Sequence, residues 1–394
     1  MRKPSLLIAT ACLTVLIVFL PPSNKAWLYK WESFLDSESL PAVTQDVSDE
    51  EESDFKSDSK VDTSKLTKPN KVQPAFSRSE KIQPIALAVY SQKKKPYLRL
   101  KEIEERLPVK ARVDKKDGEI FLTYEQTTFR MLRDVPVLEI NGIFIPMESP
   151  PVLADGEVWL PVSIVQQVFR QQISVSGNQA FWKENPAAVP AFAEKKNVSA
   201  FSVHQMSDYL SFLKTPIQGA HVSTRMSHLP GAPRTYRNGV HEGIDWYSYG
   251  TGVQISKKTP VISMADGIVV RADHDYKEMT VSERQRLLAR GRDNNGQTPA
   301  YILDKLRGRS VWVQYDKGVL ARYVHLDRIS KEVKVGQKVK TGQLIGYVGN
   351  SGTSDGAKGN NRGLHLHLDI LIYGDWFWKN YSMAERREIL EQVF

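Results

Sequence analysis

Gly363-Leu364-His365-Leu366-His367-Leu368-Asp369-Ile370 decides how the C-terminal half of this 394-residue chain is read. Apolar and polar residues alternate with the period of a β-strand. On an extended chain His365, His367 and Asp369 then share one face. Two imidazoles side by side offer two neutral lone pairs, which suits a divalent metal. His-x-His also arises on exposed strands without any role, so the upstream segments carry the decision. His241-Glu242-Gly243-Ile244-Asp245 supplies another imidazole with a carboxylate, and Tyr323-Val324-His325-Leu326 supplies a further strand-borne histidine.

The single cysteine, Cys12, lies in an N-terminal apolar run. The folded part therefore has neither disulfides nor a thiolate site, and a metal has to be held by histidine and carboxylate. Zinc hydrolases use three protein ligands and leave the fourth position to water or substrate, bringing water to a pKa of about 7. His241 and Asp245 converge only where the intervening turn folds back, which Gly243 permits. With His367 they form a His₂Asp set, leaving His325 and His365 to move protons and steady an oxyanion. Such equipment hydrolyses an amide.

These residues belong to an ordered series. His241-x-Gly-x-Asp245 is followed by Thr259-Pro260-Val261 and Ala265-Asp266-Gly267, then by Tyr323-Val324-His325-Leu326. Val335-Gly336-Gln337-Lys338-Val339-Lys340-Thr341-Gly342 and Val348-Gly349-Asn350-Ser351-Gly352 lead into His365-Leu366-His367. Over about residues 219–373 the series resembles the lysostaphin-type (LytM-domain) zinc endopeptidases of bacterial peptidoglycan. The resemblance implies one Zn²⁺ on His241, Asp245 and His367, with His325 and His365 catalytic and peptidoglycan peptides as substrate. All five positions are filled, which argues against the inactive, amidase-activating members. The alternative from another class is a non-catalytic envelope scaffold or wall-binding activator. Asp369 shares the face of His367 and is a candidate to orient it; Tyr236 and Arg237 are candidates to line the groove. The remaining histidines, His204, His221, His228 and His274, read as bystanders, with His228 nearest to the site.

Short strands between glycine-containing turns mark residues 219–376 as an all-β domain. Residues 277–308 break that pattern. Thr280-Val281-Ser282-Glu283 opens like a capping box, and two helical stretches read as an insertion between strands. The loop 353–362 is also longer than the resemblance requires, and both departures are placed to border a substrate groove. Residues 377–394 end in a helix. Residues 84–185 read as a small α+β domain, with Val137–Ile145 and Gln172–Trp182 as strands. The series Glu139-Ile140-Asn141-Gly142, Pro150-Pro151-Val152 and Trp159-Leu160-Pro161-Val162 resembles a copper amine oxidase N-terminal-like, or stalk, domain, which implies spacing or wall attachment rather than copper because the stretch has no histidine. Residues 186–218 read as a linker with one short helix.

Arg2-Lys3 and an apolar run closed by Pro21-Pro22 give residues 1–22 the layout of a signal anchor or a signal peptide. Export to the cell envelope follows, single-pass anchored or secreted. Residues 23–83 read as a flexible linker. Within it, residues 32–62 carry eleven Asp and Glu against Lys56 and Lys60, a net of −9; with +9 for the whole, the remainder carries +18. That balance favours an anionic partner such as a wall polymer, and no nucleic-acid-binding motif accompanies it. The chain is thus expected to be multidomain, with the lysostaphin-like domain and its insertion last.

Overall fold

The computed structural model describes residues 85–88, 90–92, 95–183, 195–293 and 298–394. The expected membrane segment and acidic linker lie outside them. Among the described residues no helix is long and apolar enough to cross a membrane.

In the upstream domain, alternation puts Ile120 and Leu122 against Phe129 and Met131, all buried. Five antiparallel strands follow one another as a meander: Lys110–Asp114, Glu119–Tyr124, Thr127–Leu132, Val137–Ile140 and Ile143–Pro146. The apolar run Val137–Ile145, expected as one strand, is therefore two. Asn141 and Gly142 sit at φ of 49° and 87°, and a two-residue hairpin turn needs that left-handed backbone at both positions. Gln172–Trp182 likewise folds back at Gly177, between Gln172–Ser176 and Gln179–Lys183. Two smaller sheets and the helices Leu100–Glu104 and Val162–Gln167 close over a core of Leu98, Ile103, Leu160, Phe169 and Trp182.

The C-terminal domain is mostly, rather than wholly, β. Its main sheet runs, in spatial order, Ile244–Trp246, Leu366–Ile372, Val319–Val324, Val311–Tyr315, Gly267–Ala272 and Lys338–Val339, every pair antiparallel. A second sheet of Pro260–Ile262, Leu344–Tyr347 and Arg328–Ile329 shares its core, where Val261 and Ile345 meet Val269, Val313 and Leu368. The helices Val203–Leu210 and Met383–Val393 pack together on that core. Met206, Leu210, Leu213 and Ile217 are buried in it, so the stretch expected as a linker joins the domain from about residue 203. Met206 and Leu210 lie four apart on one face of the helix, and Leu213 and Ile217 extend the contact from the turn and loop that follow it. The insertion forms two helices, Val281–Asp293 and Ala300–Leu306, between the neighbouring strands Gly267–Ala272 and Val311–Tyr315.

Along Leu366–Ile372 the even-numbered residues enter the core. On the opposite face, Leu371 joins Ile268, Val270, Trp312 and Leu320 against Val135, Val137 and Phe144 of the upstream domain. The Phe144 N–H donates to the buried Gln314 Oε1 at 3.0 Å. The upstream domain therefore sits on the sheet face that also carries the histidines. Phe144→Ala is expected to cost about 3 kcal/mol, read as a lower urea midpoint; an unchanged midpoint would mean the two domains do not support each other.

Candidate metal centre

Strand pairing brings the polar residues together. Asp245 and Val324 flank His367 as its register partners on the two neighbouring strands, and His365 bridges to Gly349. The pairing of Ile244–Trp246 depends on Gly243, where a Cβ would come within 2.2 Å of the Leu368 carbonyl oxygen. Only glycine fits there.

Three atoms then meet. His241 Nε2 lies 3.0 Å from Asp245 Oδ1 and 2.9 Å from His367 Nδ1, and His367 Nδ1 lies 2.9 Å from Asp245 Oδ1. All three side chains are buried. The far nitrogen of each ring is already committed: His241 Nδ1 donates to the Leu229 carbonyl at 3.0 Å, and His367 Nε2 donates to Asp369 Oδ1 at 2.7 Å. Two lone pairs and a carboxylate oxygen thus face one another out of water, an arrangement that calls for a cation. Burial works against charge on His367, yet Asp369 and Asp245 raise its pKa to about 9, so a cation entering the triad takes the place of a proton on Nδ1 and frees that lone pair. Asp245 stays well below the usual carboxylate range despite its burial, because His241 and His365 surround it. Two imidazoles and a carboxylate are a zinc donor set.

His365 and His325 stand beside this triad. His365 Nδ1 donates to the Gly363 carbonyl at 2.8 Å, its Nε2 is 3.7 Å from Asp245 Oδ1, and its ring stacks on Tyr247 at 4.2 Å. His325 sits at φ 60°, a left-handed conformation that costs energy for a residue with a Cβ and clusters at functional sites. Its N–H donates to the Arg307 carbonyl at 3.0 Å and its Nδ1 to the Ser351 carbonyl at 2.7 Å; its ring lies 4.9 Å from that of His365. Burial pushes both imidazoles below the ordinary histidine value, His365 to about 4. Both are neutral at neutral pH.

Asp369 is fully buried and touches both His367 and Arg307, whose Nε donates to Asp369 Oδ2 at 2.8 Å. Arg307 was not singled out from sequence. It follows the helix Ala300–Leu306 of the insertion, holds the His325 backbone through its carbonyl and reaches His367 through Asp369. Arg234, also missed, donates to Asp245 Oδ2 at 3.3 Å. Nothing in the spacing of either arginine announces these contacts.

The five residues lie in a groove of about 560 Å³. Tyr236 stands exposed on its rim. Arg237 also borders it, but is buried and spent on Glu242 at 2.6 and 2.9 Å. His228, expected as a bystander, lines the groove as well, held by the Ser223 hydroxyl at 2.7 Å. His221 and His274 bond instead to the carbonyls of Val222 and Val333 away from it, and His204 is likewise absent from its walls.

Comparison with known proteins bears on this geometry. The pattern of peptidase family M23 matches residues 295–377, which include His325, His365 and His367. The C-terminal domain is an M23 domain. The pattern described as copper amine oxidase N-terminal domain matches residues 79–181, which contain no histidine. A Buchnera aphidicola protein described as an uncharacterized metalloprotease is 26% identical over 190 residues, covering 48% of this chain and 38% of that protein. The peptidoglycan DD-endopeptidase ShyC of Vibrio cholerae is 23% identical over 164 residues, covering 42% of this chain and 28% of that protein. The chain thus spans between 28% and 38% of the length of the curated relatives it matches. Among solved structures, the catalytic domain of lysostaphin from Staphylococcus simulans aligns with 20% identity and a TM-score of 0.23, covering 45% of this chain and 90% of that one.

The cofactor of the M23 domain is zinc, and the residues present fit it. Asp369→Asn is expected to weaken zinc binding about 10- to 100-fold, measured by competition with a chromogenic chelator. An unchanged dissociation constant would show that Asp369 does not govern the set of His367.

Proposed function

We propose that the chain is a zinc-dependent endopeptidase that hydrolyses peptide bonds of bacterial peptidoglycan. The observation that carries the reading is the convergence of His241, Asp245 and His367 within hydrogen-bonding distance, beside two neutral imidazoles in one groove. The peptidoglycan DD-endopeptidase of Vibrio cholerae supports the substrate class.

His241, Asp245 and His367 would hold the ion. When bound, zinc supplies the Lewis acidity that makes water a nucleophile at neutral pH. The protein's own part is to position and to move protons. Each spare imidazole donates through Nδ1 to a carbonyl, so Nε2 keeps its lone pair. Such a nitrogen takes the proton of the attacking water and returns it to the leaving amine. Once protonated, His325 or His365 is a donor to the oxyanion of the tetrahedral intermediate. Tyr247, stacked on His365, limits rotation of that ring. Arg234 holds the outer oxygen of Asp245 and so fixes which oxygen faces the triad.

Residues 1–22 as an envelope anchor, the acidic tether and the attraction of the basic remainder for anionic wall polymers belong to the same proposal and rest on the sequence. A non-catalytic scaffold has no need for the two uncommitted imidazoles. Purified peptidoglycan is the test. The expected result is chelator-sensitive release of fragments with new amino termini, identified by mass, and a fall of about 100-fold or more in rate for His365→Ala. Release of nothing, with or without chelator, would favour the scaffold.

A further inference from the structure

The helix Val281–Asp293 of the insertion packs against Thr235–Arg237 on one rim of the groove and against Ser354–Ala357 on the other. It therefore spans the groove, and it turns Arg284 into the lining.

Three arginines of this wall are matched by carboxylates. Asp245 meets Arg234, and Glu242 meets Arg237. Arg307 meets Asp369. Among the neighbouring carboxylates of the loop, Glu278 accepts from the Gly352 N–H and the Tyr276 hydroxyl, and Asp355 accepts from Asn360. Arg284 differs. Among the described residues its guanidinium donates to neutral acceptors, the Gly352 carbonyl at 3.0 Å and the Ser354 hydroxyl at 2.6 Å. Those two bonds use Nε and Nη1 and hold the planar fork in place. A guanidinium so fixed presents its remaining N–H groups in the geometry that suits a carboxylate.

Its position relative to the reacting centre follows from the backbone. The carbonyls of the consecutive residues Ser351 and Gly352 accept from His325 and from Arg284. Neighbouring points of one backbone segment therefore hold the cation and a proposed catalytic imidazole, and both side chains line the same groove. A peptide lying in the groove with its scissile amide at His325 and His365 brings an adjoining residue to Arg284.

We infer that Arg284 is a specificity-determining residue that binds a free carboxylate borne next to the scissile amide. The substrate class is then a peptide carrying such a carboxylate, in preference to its carboxamide form or to an uncharged glycyl bridge. This rests on the endopeptidase reading above and adds the recognition element to it.

The test uses the zinc-loaded full chain and two synthetic cross-linked stem peptides, identical except that the residue flanking the cleaved bond bears a carboxylate in one and a carboxamide in the other. The carboxylate peptide is expected to be cleaved with a kcat/KM at least about tenfold higher, a factor within reach of one charge-assisted contact. Arg284→Gln is expected to bring the ratio below about threefold, with Arg284→Lys between. Cleavage of both peptides at equal rates by the unaltered chain would overturn the inference and leave the endopeptidase reading standing, and so would a ratio that survives Arg284→Gln. Cleavage of neither would count against both. Calorimetric titration of the same pair into the His365→Ala chain reads the preference as binding, independent of turnover, and equal affinities there would also overturn it.

Discussion

Four imidazoles in this protein are each pinned by one N–H so that the other nitrogen stays free. Leu229, Asp369, Ser351 and Gly363 provide the pins, three through carbonyls and one through a buried carboxylate. A neutral imidazole has one donor and one acceptor. Fixing the donor fixes the tautomer, and with it the place where a lone pair is offered. Two of those lone pairs join Asp245 in a triangle about 3 Å on a side. Everything else in the domain can be read as the means of keeping the pins in position.

The sheet does most of that work. Antiparallel pairing sets Asp245 beside His367, and the end of the strand Val319–Val324 turns His325 inward at the cost of a left-handed backbone. The insertion completes the arrangement, because Arg307 at the end of its second helix holds the His325 backbone with one group and Asp369 with another. One residue thereby ties both a metal-facing and a spare imidazole to the same support. Arg307 and Arg322 also line a cavity beneath the upstream domain, beside Arg130 and Glu139. The face of the sheet is shared: its histidines work at one end, and Leu371 carries the docked domain at the other.

The five polar residues were legible in the sequence because each lies at a point where local rules are strong. Strand alternation placed His365, His367 and Asp369 on one face; Gly243 was read as letting the turn fold back, whereas what requires it is the close approach of the Leu368 carbonyl. What stayed hidden depends on contacts between segments far apart in the chain. The ion pair of Arg307 with Asp369 joins residues 62 positions apart, and Arg284 meets Gly352 across 68; no local period encodes either. The hairpin at Asn141-Gly142 was different. Its turn residues were visible, but the apolar run on both sides outweighed them. The helix Val203–Leu210 also carried its own signals, the capping box at Ser202 and Gln205 and the apolar Met206 and Leu210 four residues apart, within a stretch whose surroundings suggested a linker.

The most direct test of the account is the identity and surroundings of the metal. Zinc-edge X-ray absorption on the purified full chain, joined to anomalous diffraction from crystals, should find one zinc per chain held by His241 Nε2, His367 Nδ1 and one oxygen of Asp245, with His325 and His365 outside the coordination sphere. Zinc bound elsewhere, or drawing a ligand from His325 or His365 in place of one of these three, would contradict it.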